Sequence, residues 1–191
     1  MSTWTLILSA GSSSRFGAVK ALARWKDGTL LSRAIKTAKE FSGINTLVVT
    51  GAYSDQITPH LAGVSYVFNE NWTKGMGTSL QCGIREILHQ DASVEFVAIL
   101  PVDQPFVEAC FLNQLLSEAR RLERCAFTSG GQFVSPPAMI PKSFLGRAEK
   151  LQGEQGLKSV LNPDEWTTLT NPEAARDIDL QADLSTMDNG H

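Results

Sequence analysis

The chain has 191 residues, 42% of them hydrophobic, with 17 Lys and Arg against 20 Asp and Glu for a formal net charge of −3. That balance excludes a general draw to nucleic acid or to anionic membranes, so any polyanion must be held by local groups. The length suits one sizeable core, and the three cysteines, Cys82, Cys110 and Cys125, share no metal-ligand spacing and fit a reducing compartment.

The stretch before Gly11 has only Leu6 to Leu8 as an apolar run and no basic residues ahead of it, unlike a signal segment. The later run Phe96 to Leu100 falls far below the roughly 20 apolar residues of a membrane span. A cytoplasmic location is the expectation.

Short apolar, β-branched runs recur at Thr5 to Leu8, Thr46 to Thr50, Val64 to Phe68, Val94 to Leu100 and Ala126 to Thr128, and predict buried strands. Helical spacing falls between them, over Leu30 to Phe41, Ser79 to His89 and Phe111 to Leu122. The alternation predicts an α/β fold with a mainly parallel sheet covered on both faces, a Rossmann-like three-layer sandwich in a single domain over residues 1–191. After Cys125 come a Gly130-Gly131 turn, a strand-like Gln132 to Ile140 broken by Pro136 and Pro137, and helical pieces at Lys142 to Lys150 and Gly156 to Leu161. The polar residues after Leu184 are expected to fray.

The first strand runs into Ser9-Ala10-Gly11-Ser12-Ser13-Ser14-Arg15-Phe16-Gly17-Ala18-Val19-Lys20. Ligands of open α/β sheets sit outside the carboxyl ends of strands, where this loop lies. Its small side chains let backbone N–H groups approach phosphate oxygens, and Arg15 and Lys20 add charge-assisted contacts. Walker A spacing fails, because five residues separate Gly11 from Gly17 and Lys20 comes late, and GxGxxG is absent. An ordinary glycine-rich βα turn with solvated cations is the plainer alternative.

Leu8-Ser9-Ala10-Gly11, Ser14-Arg15-Phe16-Gly17 and Lys20 resemble the LAAGxSxRxGxxK signature of MobA-like nucleotidyltransferases. Gly75-Met76-Gly77-Thr78-Ser79-Leu80 resembles their GMGxSL segment, and Asp103-Gln104-Pro105-Phe106-Val107 their DQPxV segment. Pro137-Ala138-Met139-Ile140-Pro141, Gly153-Glu154-Gln155-Gly156 and Asp177-Ile178-Asp179 continue the likeness in order over residues 5–184. The resemblance implies the nucleotide-diphospho-sugar transferase type of fold and transfer of a nucleoside monophosphate from a triphosphate to a phosphorylated acceptor.

Asp103 follows the most hydrophobic run and precedes Pro105, so it should project from a buried strand's carboxyl edge. A carboxylate there suits Mg²⁺, which uses one or two protein carboxylates plus phosphate oxygens, and the family's Asp at this place binds metal; the competing role is a cap on the next helix. Alternate residues of an extended Asp177-Ile178-Asp179 would share a face. The resemblance points to Asp179 as the second metal ligand, with Asp183 its rival. Gly75, Met76 and Gly77 read as three flexible residues before a helix starting near Thr78 or Ser79, with Thr78 a candidate N-cap. In the family this turn contacts base and ribose, which makes Gly75 and Ser79 candidates.

His60 and His89 lack spaced partners and read as surface residues, Cys82 fits a helix face, and Trp4, Trp25, Trp72 and Trp166 read as packing residues, with Trp72 a candidate for the acceptor side. Attack on an α-phosphorus needs positioning and charge neutralisation, which Lys20, Arg15 and Mg²⁺ on Asp103 would provide without a histidine base. Within the family the guanylyl branch resembles LAGG and the cytidylyl branch LAAG, so Ala10 points to CTP, with Mo-molybdopterin as acceptor and a molybdoenzyme or its maturation chaperone as partner. The sequence departs from the pattern at Leu22-Ala23-Arg24, Ser135-Pro136 and Leu180-Gln181, all on the acceptor side of the likeness. A guanylyltransferase, a sugar-phosphate or alcohol-phosphate nucleotidyltransferase, and a non-catalytic nucleotide- or cofactor-binding chaperone are the alternatives.

Overall fold

The computed structural model describes residues 2–187. The strands are β1 (Ser2–Ser9), β2 (Arg24–Trp25), β3 (Gly28–Thr29), β4 (Thr46–Thr50), β5 (Ser65–Phe68), β6 (Val94–Pro101), β7 (Cys125–Ser129), β8 (Val134–Pro141) and β9 (Trp166–Thr170). The helices are α1 (Leu30–Ser42), α2 (Ser54–Ile57), α3 (Met76–Gln90), α4 (Ala109–Leu122), α5 (Lys142–Leu145) and α6 (Gln181–Met187). Seven strands form one sheet in the order β5-β4-β1-β6-β8-β7-β9, while β2 and β3 make a separate hairpin. Pairs β5–β4, β4–β1, β1–β6 and β7–β9 are parallel, and β8 runs against both of its neighbours.

Both faces of the central strands are buried, which explains their unbroken apolar runs. In β1, Ile7 joins α1 and α4 on one side through Leu31, Ala34, Ala38, Leu112 and Leu115. Its neighbours Trp4 and Leu6 point the other way, toward Leu80, Ile84 and Ile87 of α3 and toward Leu145 and Leu157. The three layers follow from this period of two inside each strand and of about 3.6 on each helix. Gly83 of α3 sits so close to the sheet that a Cβ there would come within 2.4 Å of Leu6 Cδ1.

Helix α1 starts at a reciprocal cap, in which Thr29 Oγ1 accepts from Ser32 N at 3.1 Å and Ser32 Oγ accepts from Thr29 N at 2.8 Å.

The structure differs from the sequence reading in several places. Strand β5, expected to be buried, is an edge strand on which Tyr66 and Phe68 are exposed. Strand β8 passes through Pro136 and Pro137 instead of breaking there; the bond between them is cis, and β7 and β8 change register nearby, between Phe127 and Thr128. Strand β9 was not expected: Trp166–Thr170 has only two apolar residues, and its place comes from pairing with β7 and from Trp166 packing edge-on to Phe127 at 6.2 Å. Helix α3 begins at Met76, earlier than Thr78, and its first turn is docked on another loop. Residues 177–179 are not a strand but an irregular segment after a turn. Backbone helix persists to Met187, beyond the point where fraying was expected, and residues 188–191 lie outside the described residues. No helix among the described residues is long and apolar enough to cross a membrane.

Candidate functional site

The chain passes from β1 to β4 and β5 on one side, then crosses back to β6 on the other. The chain connections leaving the paired strands β1 and β6 therefore run to opposite sides at their carboxyl ends, the place where open α/β sheets bind ligands. A cleft of about 650 Å³ opens there, lined by the loop after β1, the start of α3, the residues after β6, the β8 residues Ser135 and Pro136, and Asp177 and Asp179.

The loop after β1 is held from below and leaves its amides open. Phe16, 4% exposed, anchors it against Trp25, Leu30 and Ile178. Ser13 takes a positive φ of 50°, its carbonyl accepts from Phe16 N and Gly17 N, and its Oγ accepts from Lys20 N at 3.3 Å. Tyr53 Oη donates to Ser12 O at 2.9 Å. The backbone N–H groups of Gly11, Ser12, Ser13, Ser14 and Arg15 donate to no protein group among the described residues. A Cβ on Gly11 would meet no atom within 4 Å, because the space beside it belongs to the cleft. Consecutive open amides of this kind form an anion-binding concavity. Arg15 is exposed beside them and pairs with no carboxylate among the described residues.

At the centre, Lys20 Nζ lies 2.8 Å from Asp103 Oδ2 and 3.2 Å from Asp179 Oδ1. Burial would lower the Lys20 pKa, but Asp103 and Asp179 outweigh it and hold the ammonium above its ordinary value. Asp103 does not cap the following helix, whose N-cap residue is Glu108. The segment 177–179 reaches the cleft because Ile178 is fully buried and its N–H donates to Asp103 O at 2.9 Å, which places Asp177 and Asp179 on either side of it. Asp183, the rival, does not line the cleft; its Oδ2 accepts from Asp179 N at 2.9 Å and Leu180 N at 2.7 Å and so supports the Asp179 turn.

Two residues of this centre escaped the sequence reading. Gln104, 4% exposed, donates through Nε2 to Pro136 O and to Asp177 Oδ1, each at 2.9 Å. Desolvation, with the charges of Asp103 and Asp179, pushes the Asp177 carboxyl above its ordinary value. Both lie inside motifs already quoted, and only the contact between them marks them out. Ser9 Oγ and Gln104 Oε1 are buried without a partner among the described residues, and such orphans gather at functional sites.

On the β4 side, the turn before α3 is braced against Gly153 and Glu154. Gly75 has φ of 107°, and a Cβ there would stand 2.4 Å from the Gly153 backbone. Gly77 N donates to Gly153 O at 2.9 Å and Met76 N to Glu154 Oε2 at 3.2 Å. Thr78 does not cap the helix; its Oγ1 lies 2.9 Å from Gly75 O and from Asn71 O. Ser79 lines the cleft, 5% exposed, and its hydroxyl accepts from Asn69 Nδ2 at 3.0 Å.

Of the residues expected at the site, Ser9, Ala10, Gly11, Ser12, Ser13, Ser14, Arg15, Lys20, Gly75, Ser79, Asp103 and Asp179 all line this one cleft. Gly17 does not; with φ of 75° it closes the turn behind the loop. Ala10 is 5% exposed, with its methyl set among Gly51 and Trp72. Trp72 lines the cleft on that same side, away from Pro136 and Asp177.

A 123-residue segment, 64% of the chain, is 28% identical to 57% of a molybdenum cofactor guanylyltransferase of Xanthomonas euvesicatoria pv. vesicatoria. Another of 82 residues, 41% of the chain, is 29% identical to 42% of the molybdenum cofactor cytidylyltransferase of Escherichia coli K12. These matches span about half the length of each relative. A nucleotidyl transferase structure from Methanothermobacter thermautotroptrophicus superposes with a TM-score of 0.82 at 16% identity, over 97% of this chain and 95% of that one, and shares the fold. The MobA-like NTP transferase domain matches residues 5–170, and the chain belongs to that family.

Proposed function

We propose that the protein transfers CMP from CTP to the phosphate of Mo-molybdopterin, with Mg²⁺ as the metal and release of pyrophosphate. The observation that carries transfer chemistry is the Lys20 ammonium between Asp103 and Asp179, in the same cleft as five open amides on the loop after β1. The loop amides and Arg15 would receive the triphosphate, and Lys20 would neutralise charge as it develops on the phosphates. Asp103 and Asp179 fit a hard divalent cation: both reach one point in the cleft, and the carboxylates there outnumber the single ammonium. Bound there, the metal would supply Lewis-acid polarisation of the phosphoryl oxygens. A phosphate monoester nucleophile, with a second pKa near ~6, is already largely ionised at neutral pH, so the site does without a general base.

Asp103 divides the cleft. Gly75, Ser79 and Ala10 lie on the β4 side, where we place the base; Gln104, Pro136 and Asp177 lie on the β8 side, where we place the acceptor. The choice of CTP rests on the likeness of Leu8-Ser9-Ala10-Gly11 to the LAAG of the cytidylyl branch, with the Ala10 methyl packed beside Gly51 and Trp72. GTP is the second reading, favoured by the near-complete burial of that methyl, which leaves it little surface to meet a purine.

Melting scans with CTP, GTP, ATP and UTP, each with and without Mg²⁺, test the assignment. A nucleotide at 100 times its Kd adds about 2.7 kcal/mol to stability. Selective stabilisation by Mg-CTP is expected. Selective stabilisation by Mg-GTP would transfer the assignment to guanylyl transfer, and no response to any nucleotide would leave a cofactor-binding chaperone as the better reading.

A further inference from the structure

Lys20 stands where a cation is wanted. Its backbone is tied down, with the N–H on Ser13 Oγ at 3.3 Å and the residue opening a short 3-10 turn, Lys20–Leu22. Its side chain is 13% exposed and reaches inward to Asp103 Oδ2 at 2.8 Å and Asp179 Oδ1 at 3.2 Å. No other Lys or Arg contacts either carboxylate among the described residues.

A divalent cation arriving alone would have to expel this ammonium from between its two anions. The displaced charge would then face the new cation in the same cleft, where the Asp177 carboxylate is already turned to Gln104 Nε2 at 2.9 Å. A metal–triphosphate complex, which carries net negative charge, changes the exchange. Its phosphates would lie along the open amides of Gly11 to Arg15, on the loop that Lys20 itself ends. The flexible four-carbon stem of Lys20 could then move to phosphate oxygen without losing an anionic partner.

We infer that Lys20 is the resident counter-ion of the Asp103–Asp179 pair in the nucleotide-free protein, and that the site therefore admits a divalent cation only together with a triphosphate. The counter-ion role stands on geometry alone. The identity of the incoming anion rests on the nucleotidyl reading.

Equilibrium dialysis of the full chain against Mn²⁺ tests both halves. Without nucleotide the wild type retains Mn²⁺ weakly. Lys20→Met, which leaves two unneutralised carboxylates, binds it at least about tenfold tighter; Lys20→Arg stays as weak as the wild type. Adding Asp103→Asn to Lys20→Met abolishes the gain, and melting scans show that each variant is folded. Wild type as tight as Lys20→Met, or a gain that survives Asp103→Asn, overturns the counter-ion role. With CTP or GTP in the dialysis, Mn²⁺ retention by the wild type rises. Failure to rise while melting scans show that CTP or GTP binds overturns coupled entry alone; failure to rise with neither nucleotide binding overturns the nucleotidyl reading as well, and the counter-ion role is judged by the variants.

Discussion

Asp103→Asn keeps the shape of the side chain and removes its charge. In the wild type the carboxylate and the Lys20 ammonium are 23% and 13% exposed and 2.8 Å apart, so losing this charge-assisted hydrogen bond costs about 1.5–3 kcal/mol. Part of that is returned, because Asp103 also repels Asp177 and so raises its pKa. Lys20 keeps Asp179 as a partner at 3.2 Å. The net loss is about 1–2 kcal/mol, which for a chain of this length lowers Tm by roughly 2–8 °C. Turnover is a different matter, since a carboxylate that holds the metal contributes about 4 kcal/mol or more to the transition state, a loss of ~10³-fold. Pyrophosphate release with Mg-CTP and acceptor, measured beside melting curves, separates the two effects. A folded Asp103→Asn protein with turnover within tenfold of wild type would refute the metal-holding role. A collapse of Tm by much more than ~10 °C would instead make Asp103 a structural residue.

Two further outcomes follow from the same geometry. Gly75→Ala places a methyl within 2.4 Å of the Gly153 backbone at a φ of 107°, so it should cost about 3 kcal/mol and weaken nucleotide binding through a displaced α3 start; an unchanged Tm in a thermal scan would contradict this. For Asp177 the folded pKa is raised above its ordinary value of 3.8, chiefly by desolvation, so the native state binds the proton more tightly than the unfolded chain. Wild-type stability is therefore fuller below 3.8 and falls as pH rises through the raised value, which predicts that Asp177→Asn melts higher than wild type at pH 7 and that the difference vanishes near pH 3. Melting the two proteins across that range checks it, and a variant less stable at pH 7 would show that the Gln104–Asp177 hydrogen bond outweighs desolvation.

The parts of the fold that were legible were those whose cause is local. Continuous β-branched runs marked β1, β4 and β6 because both faces of those strands are buried, and apolar spacing marked α1, α3 and α4 because each buries one face on the sheet. The place of the loop from Ser9 to Lys20 on the cleft was legible for a similar reason, since it follows directly from the end of the first strand. Strand β9 was not legible, because its pairing with β7 lies outside its own composition.

The centre of the site divides along the same line. Chain order carries the types of residue: an aspartate after the most apolar strand, a lysine closing a small-residue loop, an acidic pair near the end. It does not say that Asp177 turns to Gln104 while Asp179 turns to Lys20, because that depends on Ile178 being buried and bonded to Asp103 O, 75 positions away by number. Nor could it say that Gly75 to Gly77 would pack against the Gly153–Glu154 backbone and side chain. Composition and spacing specify which chemistry a chain can carry out. Which groups meet is set by long-range packing, where one buried isoleucine or one close backbone contact orients the charges around it.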